Sequence, residues 1–442
     1  MSATQIPTDP FTQRLQQIRQ QIAQGQLREA AQALNEVQKQ HPTDPRIALL
    51  GMRMADKAGN PAAAIQAARK ALELSPDWHV TLVELAKLLA EQDQRDEAMK
   101  LIRRAIDMEP FDTDVRVAAI NVAARAGQPD QALTWARQGV QNHPDHLGMQ
   151  LYLAQALLER REFAEARTHF EAIQQRQPQS IDALLGRMAC ERAIGSPERL
   201  RLLADQALAA QPGDANVRFW HDLAYGRTPA TRPDSAITTL FDSYAPDFDM
   251  HMVAGLKYQL PRRIAELLVQ TWPDRRFNLL DLGCGTGLLG LYLGPIEGHI
   301  IGVELSQKMI DQATRHGVYS RFHRVNLRDA LAATPADHYE AIVCADVLPY
   351  VGDLASVIPN ALRVLKPGGL FVFSCEAAGE DEADLVLRPA SLRYAHKASA
   401  VQRACEAAGF TDISIEDLPA LRMESAQPLP GFLVTARKPA AA

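Results

Sequence analysis

The order of apolar and polar positions divides the chain into two parts of different character. Up to about residue 226, one pattern of prolines, small residues and chain breakers returns every 34 residues. From about residue 236, short apolar runs alternate with helical patterns, and the runs are "FNLLDL", "HIIGVEL", "EAIVCADVL" and "GLFVFS". The first pattern predicts paired helices. The second predicts a mostly parallel sheet with helices on both faces.

Three columns of residues define the repeating unit. A proline closes each unit, a small or apolar residue precedes it by 12 positions, and a glycine or polar residue stands at mid-unit. The mid-unit residue ends the first helix, the small residue lets two helices approach closely, and the proline cannot continue the second helix. Asp44, Asp77, Asp145 and Asp214 are expected to cap the helices that follow. The columns are Pro42, Pro76, Pro110, Pro144, Pro178 and Pro212; Ala30, Ala64, Ala98, Ala132, Ala166 and Leu200; and Gly25, Gly59, Asp93, Gly127, Arg161 and Gly195.

Over roughly residues 11–226 these units resemble a tetratricopeptide-repeat array. About six units stack into a solenoid, since no unit can bury its apolar face alone. The stretch "DANVRFWHDLAYG" is interpreted as a closing helix. The resemblance implies that the concave face binds a protein or peptide partner, with a scaffold or dimerisation module as the alternative.

The segment "RTPATRPDSA" is rich in proline, threonine and arginine and is interpreted as a linker. We therefore predict three regions. They are an all-α repeat array over 1–226, a linker over 227–237 and an α/β domain over 238–442.

Composition narrows the function classes. The 442 residues are 47% hydrophobic and 23% charged, with a formal net charge of -6, which argues against a dedicated nucleic-acid binder. The amino terminus lacks the pattern of a secretory signal, and no apolar run is long enough to span a membrane. Five widely spaced cysteines without a C-x-x-C pair favour reduced thiols in a cytoplasmic protein and no metal site.

The stretch "DLGCGTGLLG" (281–290) follows the first strand and has two interpretations. Its G-x-G-x-x-G spacing fits a loop for dinucleotide phosphates, and its acidic residue with three glycines fits a loop for S-adenosylmethionine. Glu304, after the second strand, suits the ribose hydroxyls of either cofactor. Asp281 discriminates, because it would repel a pyrophosphate but would attract the ammonium group of S-adenosylmethionine.

The remaining motifs favour the second interpretation. "LKPGG" precedes the strand "LFVFS", and "GFTDISIED" and "GFLVTARK" predict an antiparallel pair of strands separated by a loop at the sheet edge. With "LFDSYAPDFDMHM", "ADVLPYVGDL" and "RYAHKASAVQRACEAAGF", residues 238–438 resemble a class I S-adenosylmethionine-dependent methyltransferase. The resemblance implies a doubly wound, mostly parallel, seven-stranded Rossmann-like sheet. The whole chain resembles the tetratricopeptide-repeat-containing methyltransferases.

The resemblance also implies a set of cofactor-binding residues. The family usually has Asp-Leu after the third strand, where this chain has Asn326-Leu327, so the bond to the adenine amino group would lack a charge. The expected set is Tyr244 and Tyr258 as a cover; Asp281, Gly283, Cys284, Gly285 and Gly287 at the methionine portion; Glu304 at the ribose; Leu305, Met309, Asn326 and Leu327 at the adenine; and Asp346 at the edge of the acceptor pocket.

Methyl transfer needs positioning more than a strong base, so catalytic assignments rest on few residues. Asp346, Tyr350 and His251 are the candidates, although a structural role for His251, as for His396, is the simpler interpretation. We expect methyl transfer to a protein or peptide recruited by the repeats. The alternatives are a small-molecule methyltransferase with repeats that mediate oligomerisation, and a non-catalytic scaffold.

Overall fold

The structure is a computed structural model that describes residues 9–245, 248–424 and 427–440. It consists of two compact units, Met1–Leu203 and Ala204–Ala442. The division falls inside a helix, Pro197–Ala210. The boundaries at 226 and 238 stay predictions.

The first unit is built from antiparallel helix pairs of nearly equal length. Within the described residues, twelve helices begin in this unit, and each has 13 or 14 residues. The helices are α1 (Pro10–Ala23), α2 (Leu27–Gln40), α3 (Pro45–Lys57), α4 (Pro61–Leu74), α5 (His79–Glu91), α6 (Arg95–Met108), α7 (Thr113–Arg125), α8 (Pro129–Asn142), α9 (Leu147–Glu159), α10 (Phe163–Arg176), α11 (Ile181–Ile194) and α12 (Pro197–Ala210).

The three sequence columns have the structural roles that the repeat requires. The five alanines of the small-residue column are fully buried, and each column proline lies in the turn between two pairs. Every mid-unit residue has a positive φ, including the non-glycine residues Asp93 (φ 61°) and Arg161 (φ 62°). A left-handed residue therefore ends the first helix of each pair, whatever its side chain. The predicted repeat solenoid is confirmed.

The predicted helix caps are only partly correct. Asp44 and Asp214 accept hydrogen bonds from the backbone N–H of Arg46 (2.9 Å) and Val217 (2.9 Å). The predictions for Asp77 and Asp145 were wrong, because the cap position in these two units is one residue later, at Trp78 and His146. Each displaced aspartate instead pairs with an arginine of the following repeat.

The second unit is an α/β fold with short helices. Its helices are α13 (Ala215–Ala224), α14 (Asp234–Tyr244), α15 (Leu260–Thr271), α16 (Leu288–Leu293), α17 (Gln307–Thr314), α18 (Leu327–Ala333), α19 (Ile358–Val364) and α20 (Ala398–Ala408), with a π-helical turn at Met250–Gly255. Its strands are β1 (Leu279–Leu282), β2 (Ile300–Glu304), β3 (Arg321–Arg324), β4 (Tyr339–Cys344), β5 (Leu365–Ala377), β6 (Leu385–Leu387), β7 (Tyr394–His396), β8 (Thr411–Glu424) and β9 (Gln427–Arg437).

The sheet has the predicted doubly wound order. Strands β3, β2, β1, β4 and β5 are parallel neighbours, and β9 and then β8 follow β5 in antiparallel pairing. A hairpin of β6 and β7, absent from the prediction, joins the end of β5 at Glu376 and Ala377. The predicted loop between the last two strands was too long, since β8 runs through a bulge between Leu418 and Arg422 to Glu424.

Successive residues of the central strands pack on opposite faces of the sheet, because side chains alternate along a strand. Leu280 and Ile342 pack with α18, α19 and α20 on one face, and Leu279 and Val343 pack with α15 and α16 on the other. Both faces are buried, as a parallel sheet requires. Polar residues at or just after the carboxyl ends of β1, β2 and β4, namely Asp281, Glu304 and Asp346, lie at one edge of the sheet.

The predicted linker segment is bonded to the second unit along much of its length. The Tyr394 hydroxyl donates to the carbonyl of Pro229 (2.8 Å), and the N–H of Asp353 donates to that of Ala230 (2.8 Å). Thr231 then forms an isolated bridge with Val351. This segment lies beside the loop that follows β4.

Three expectations from the composition can be compared with the described residues. In that part of the chain, no helix is both long enough and apolar enough to cross a bilayer. The five cysteines are buried free thiols. The described residues also contain no group of three or more side chains arranged to hold a metal ion.

Candidate active site

A cavity of about 350 Å³ opens at the carboxyl ends of β1, β2 and β4. Asp281 near the end of β1, Glu304 at the end of β2 and Asp346 just after β4 all line it. Strands deliver these three carboxyl groups to one edge because parallel strands end on the same side. The cavity belongs wholly to the second unit, and its size is that of an ordinary ligand site.

Glu304 organises the glycine loop. Its carboxylate accepts hydrogen bonds from the backbone N–H groups of Gly285 (3.1 Å), Leu305 (2.7 Å) and Ser306 (2.9 Å). Burial raises the pKa of this carboxyl group, and the three N–H donors oppose that shift. Glu304 thus fixes the loop after β1 against the loop after β2 while it lines the cavity.

Asp281 is held by a tyrosine that the sequence did not single out. The Tyr319 hydroxyl donates to Asp281 Oδ2 (2.6 Å) and accepts from the N–H of Gly290 (3.2 Å). A Cβ atom at Gly290 would lie 2.5 Å from the Tyr319 ring, so the last glycine of G-x-G-x-x-G makes room for this ring. Burial raises the pKa of Asp281 to about 7, although the Tyr319 hydrogen bond lowers it.

Three carboxylates attach the segment before β1 to the loops around the cavity. Asp234 accepts from Asn326 Nδ2 (2.6 Å), Asp242 accepts from the Ser306 hydroxyl, and Asp249 accepts from the Thr286 hydroxyl. The same segment lines the cavity with the aromatic rings of Phe241, Tyr244 and Phe248. Its carboxylates hold this segment to the loops that line the cavity, and the cover role expected of Tyr244 stays a prediction.

A buried chain of alternating charges contributes another part of the lining. Arg422 bonds both Asp346 and Glu376, and Arg393 bonds Glu376 (2.6 Å) and Glu424. The side chains of Arg422 and Glu376 are 7% and 2% exposed. Burial raises the pKa of Asp346, against the effect of Arg422. Asp346 also has a strained φ of 56°, and its backbone N–H donates a hydrogen bond to the Ser374 hydroxyl oxygen (2.8 Å).

Two tyrosine hydroxyls on this side are free for a ligand. Tyr258 and Tyr350 line the cavity, and in the described residues neither phenol oxygen has a hydrogen-bond partner. Burial raises the pKa of Tyr350 to about 12 and raises that of Tyr258 well above its usual value. Both are therefore neutral hydroxyls near pH 7 that can donate or accept one hydrogen bond.

Most of the residues singled out in the sequence come together in this cavity. Gly287 and Met309 do not line it, since Gly287 precedes α16 and Met309 is fully buried in α17. The side chain of His251 lies outside the described residues, and His396 is buried with Nε2 2.9 Å from the carbonyl of Gly352. The lining residues are Tyr244, Tyr258, Asp281, Gly283, Cys284, Gly285, Glu304, Leu305, Asn326, Leu327, Asp346 and Tyr350.

Asn326 is engaged differently from the sequence-based expectation. Its side-chain oxygen accepts from the backbone N–H of Arg328 (2.8 Å) and so caps α18, while its amide group donates to Asp234. The same oxygen also accepts from Arg328 Nε (3.3 Å), so the oxygen expected to meet the adenine amino group already accepts two hydrogen bonds.

The comparisons with known proteins agree with the two-part organisation. A model described as a methyltransferase domain matches residues 254–415, and tetratricopeptide-repeat models match residues 15–77, 57–120 and 117–181. The chain carries tetratricopeptide repeats and a methyltransferase domain. This domain is of the kind that uses S-adenosylmethionine as its methyl donor.

The curated relatives match part of this chain. A ubiquinone biosynthesis O-methyltransferase of Hydrogenovibrio crunogenus is 31% identical over 118 residues, which are 26% of this chain and 48% of that protein. The human methyltransferase-like protein 27 is 34% identical over 135 residues, 29% of this chain and 54% of that protein. The chain thus spans about half the length of the curated relatives it matches.

Two solved structures are among those similar to this chain. The tetratricopeptide-repeat protein YrrB is 17% identical, with a TM-score of 0.37, over 42% of this chain and 96% of its own. The 1,6-didemethyltoxoflavin-N1-methyltransferase of Burkholderia thailandensis is 18% identical, with a TM-score of 0.37, over 48% of this chain and 92% of its own.

The residues of the cavity suit S-adenosylmethionine. Asp281 and Glu304 offer carboxylates to an ammonium group and to ribose hydroxyls, respectively. A Cβ atom at Gly285 would lie 4.0 Å from the ring of Phe248, another lining residue, so glycine leaves this space open. The buried thiol of Cys284 adds no charge, because burial raises its pKa well above the usual value.

Proposed function

We propose that this chain transfers a methyl group from S-adenosylmethionine to a protein or peptide that its repeat array recruits. The observation that carries the proposal is the cavity, which is lined by Asp281, Glu304, Tyr258, Tyr350 and Asp346 together. The matched repeats support a protein partner, since such arrays present an extended concave surface.

On the donor side, this chain's residues bind and orient. When bound, S-adenosylmethionine supplies an electrophilic methyl group on a sulfonium. Asp281 would pair with the ammonium group and Glu304 with the ribose hydroxyls, while Tyr319 keeps the Asp281 carboxylate in place. The rings of Phe241 and Phe248 on the cover segment would exclude water from the reacting atoms.

On the acceptor side, positioning is the main contribution. The free hydroxyls of Tyr258 and Tyr350 would orient the acceptor by neutral hydrogen bonds. Asp346 would take part in orientation or in proton removal, and its bond to Arg422 fixes its direction. His251 is a further candidate base from the sequence. None of these roles requires a strong base, because an oxygen or nitrogen acceptor can lose its proton late.

A small-molecule acceptor is the second candidate. It is favoured by the curated relatives, which include several ubiquinone biosynthesis O-methyltransferases. In that case the repeats would mediate assembly of the protein with itself. No nucleic-acid or membrane partner is part of either proposal, in keeping with the net charge of -6.

Methyl-labelled S-adenosylmethionine in a cell lysate separates the two candidates. The full chain is added, and label is followed in the protein precipitate and in the small-molecule extract. Label in a protein band supports the leading proposal and identifies the acceptor. Label confined to the extract supports the small-molecule candidate.

The matched control is the double variant Asp281→Ala, Glu304→Ala, which removes both donor-side carboxylates. It should abolish labelling, because the methyl donor is no longer held. Equal labelling by the wild-type and double-variant chains would contradict the proposed site. Binding of S-adenosylhomocysteine to each protein, measured by calorimetry, shows whether the loss lies in donor binding.

A further inference from the structure

Three residues that line the cavity carry oxygen atoms without a hydrogen-bond partner. Arg422 bonds Asp346 Oδ1, but among the described residues Asp346 Oδ2 accepts no hydrogen bond. The phenol oxygens of Tyr258 and Tyr350 have no partner there either. Each of the three oxygens keeps some accessible surface, because none belongs to the fully buried side-chain atoms that lack a partner. A ligand in the cavity can therefore reach all three.

The two phenols lie within the electrostatic reach of the Asp346 carboxylate. Burial raises the pKa of Tyr258 and of Tyr350, and the negative charge of Asp346 is the next cause in both cases. The three oxygens thus form one group of hydrogen-bond acceptors around a carboxylate. An ammonium group, which carries three N–H donors and no acceptor, is the ligand group that such a set can satisfy together.

The buried ion pairs that end at Asp346 also favour a cation. Three carboxylates share two guanidinium groups in this chain, which runs through Glu424, Arg393, Glu376, Arg422 and Asp346. Each guanidinium is bonded by two carboxylates, so one negative charge is left in excess. The Asp346 end of the chain lines the cavity, and its side chain is 12% exposed.

A further cation, Arg232, lies near this group but outside the lining. Its guanidinium is over the ring of Tyr350, 5.9 Å from the ring centroid, and it offsets part of the excess charge. The rings that line the cavity, among them Phe241 and Phe248, attract a cation to their faces. A ligand in the cavity thus meets the Asp346 carboxylate and aromatic rings directly.

We propose that the methyl acceptor is an amine that binds as an ammonium ion, with its N–H groups donating to Asp346 Oδ2 and to the hydroxyls of Tyr258 and Tyr350. The inference rests on the proposed function, since it takes this cavity to be the methyltransferase site. The amine belongs to a lysine side chain if the acceptor is a protein, and to a free amine if it is a small molecule.

The bound ammonium group must lose a proton before its nitrogen can accept a methyl group. One N–H bond breaks, its electron pair stays on nitrogen as the lone pair, and the proton passes to Asp346 Oδ2, which becomes part of a neutral carboxyl group. Burial raises the pKa of Asp346, and Arg422 opposes that shift. The carboxylate is therefore a stronger base than an exposed aspartate, and Oδ1 stays bonded to Arg422 throughout.

Five small probes test this inference on the full chain saturated with S-adenosylhomocysteine. Benzylamine is paired with benzyl alcohol, and Nα-acetyl-lysinamide with Nα-acetyl-norleucinamide, so that each amine has a neutral partner of similar shape. Benzoate is the anionic probe. Dissociation constants are measured by ligand-observed NMR near pH 7.

The proteins compared are the wild type, Asp346→Asn and Asp353→Asn. Asparagine removes the charge at position 346 and tolerates its left-handed φ of 56°. Asp353 is the matched control, because it is an exposed aspartate of the same loop that does not line the cavity.

We expect at least one amine to bind the wild type about tenfold or more tightly than its neutral partner, with benzoate the weakest probe. Asp346→Asn should remove this preference, and Asp353→Asn should keep it. The pair with the larger preference tells a lysine side chain from a free aromatic amine.

Two results would overturn the inference. The first is a wild type that binds neither amine more tightly than its neutral partner, or that binds benzoate as tightly as the amines, and it counts even if Asp346→Asn fails to fold. The second is a preference that persists in an Asp346→Asn protein that still binds S-adenosylhomocysteine, because another group would then hold the ammonium ion.

The saturation step separates this inference from the proposed function. If the wild type does not bind S-adenosylhomocysteine, the proposed methyltransferase site is wrong. If it binds S-adenosylhomocysteine but shows no preference for amines, the site stands and the amine acceptor is wrong.

Discussion

Charged side chains are used differently in the repeat array and in the methyltransferase domain. In the array most ion pairs lie at the surface, as that of Arg69 with Glu97 does, where the side chains are 50% and 45% exposed. The buried Glu191, 3.6 Å from Arg167, is an exception. In the methyltransferase domain, Arg422 and Glu376 pair at 7% and 2% exposure. Exposed pairs contribute little to stability, whereas breaking a buried pair leaves an uncompensated charge.

The comparison separates what holds each region together. The array has a column of small buried residues and a repeated left-handed turn. The wall of the cavity depends on Asp346, Arg422 and Glu376, which come from three separate strands or loops. Matched substitutions in the two regions test this difference.

The largest effect is expected for Arg422→Met. It leaves Asp346 and Glu376 buried without their shared cation, and the free energy of unfolding of the methyltransferase domain should fall by about 3–5 kcal/mol. Calorimetric unfolding of the full chain measures this, and the transition that S-adenosylhomocysteine shifts to higher temperature identifies the domain.

Arg137→Met is the matched control in the array. Arg137 bonds Glu162 and Glu165, all three about 40% exposed or more, so its loss should change the free energy of unfolding by less than about 1 kcal/mol. Equal effects of Arg137→Met and Arg422→Met would show that burial does not distinguish the two regions.

The second largest effect is expected in the array itself. Ala64→Leu places a larger side chain where two helices meet and should destabilise the array by about 1–3 kcal/mol, because Ala64 is fully buried. Ala62→Leu, in the same helix α4 but exposed, should be close to neutral. Urea unfolding followed by circular dichroism measures both, and a neutral Ala64→Leu would mean that the column does not set helix spacing.

The array was predictable because its signal is repeated. Six copies of each column fix the helix pairs, and the alanine column marks the tightest contacts. The caps were predicted less well, because the composition of a turn does not fix the position of a cap to one residue. Asp77 lies one residue before the cap position, too early to bond the first N–H groups of α5, and it pairs with Arg104 (2.6 Å) instead.

The sequence predicts those site residues whose positions follow from the strand next to them in the chain. Asp281 and Glu304 follow directly from their positions at the ends of strands. Tyr319 and Arg422 could not be found in this way, since they meet Asp281 and Asp346 across 38 and 76 residues. The one local signal for Tyr319 was Gly290, whose missing side chain admits the tyrosine ring.

The buried charges also predict a pH dependence. Because burial raises the pKa of Asp281 from 3.8 to about 7, folding favours its protonated form, and the free energy of unfolding falls as pH rises across that interval. Binding of an ammonium group favours the carboxylate instead. The affinity for S-adenosylhomocysteine should therefore fall about tenfold per pH unit below about pH 7.

Calorimetric titration across this range tests the dependence with two variants. Asp281→Asn should weaken binding above pH 7 and remove the slope below it. Tyr319→Phe should move the onset of weakening to higher pH, because the Tyr319 hydroxyl lowers the pKa of Asp281. A slope that persists in Asp281→Asn would assign it to another group, with the buried Glu304 the first to test.

The smallest effect is expected at the mid-unit turns of the array. Arg161 has a left-handed φ of 62°, a conformation that costs a non-glycine residue about 1–2 kcal/mol. Replacing it with glycine relieves this strain, but the greater flexibility of glycine in the unfolded chain offsets part of the gain in stability. Arg161→Gly should therefore stabilise the array by about 0.5–1 kcal/mol in urea unfolding. Gly59→Ala, where an added Cβ meets no atom within 4 Å, should destabilise it by a similar amount through backbone strain alone. If Arg161→Gly instead lost stability, contacts of the arginine side chain would outweigh the backbone conformation of the turn. The repeat units would then differ in what stabilises them, although their backbones share one turn.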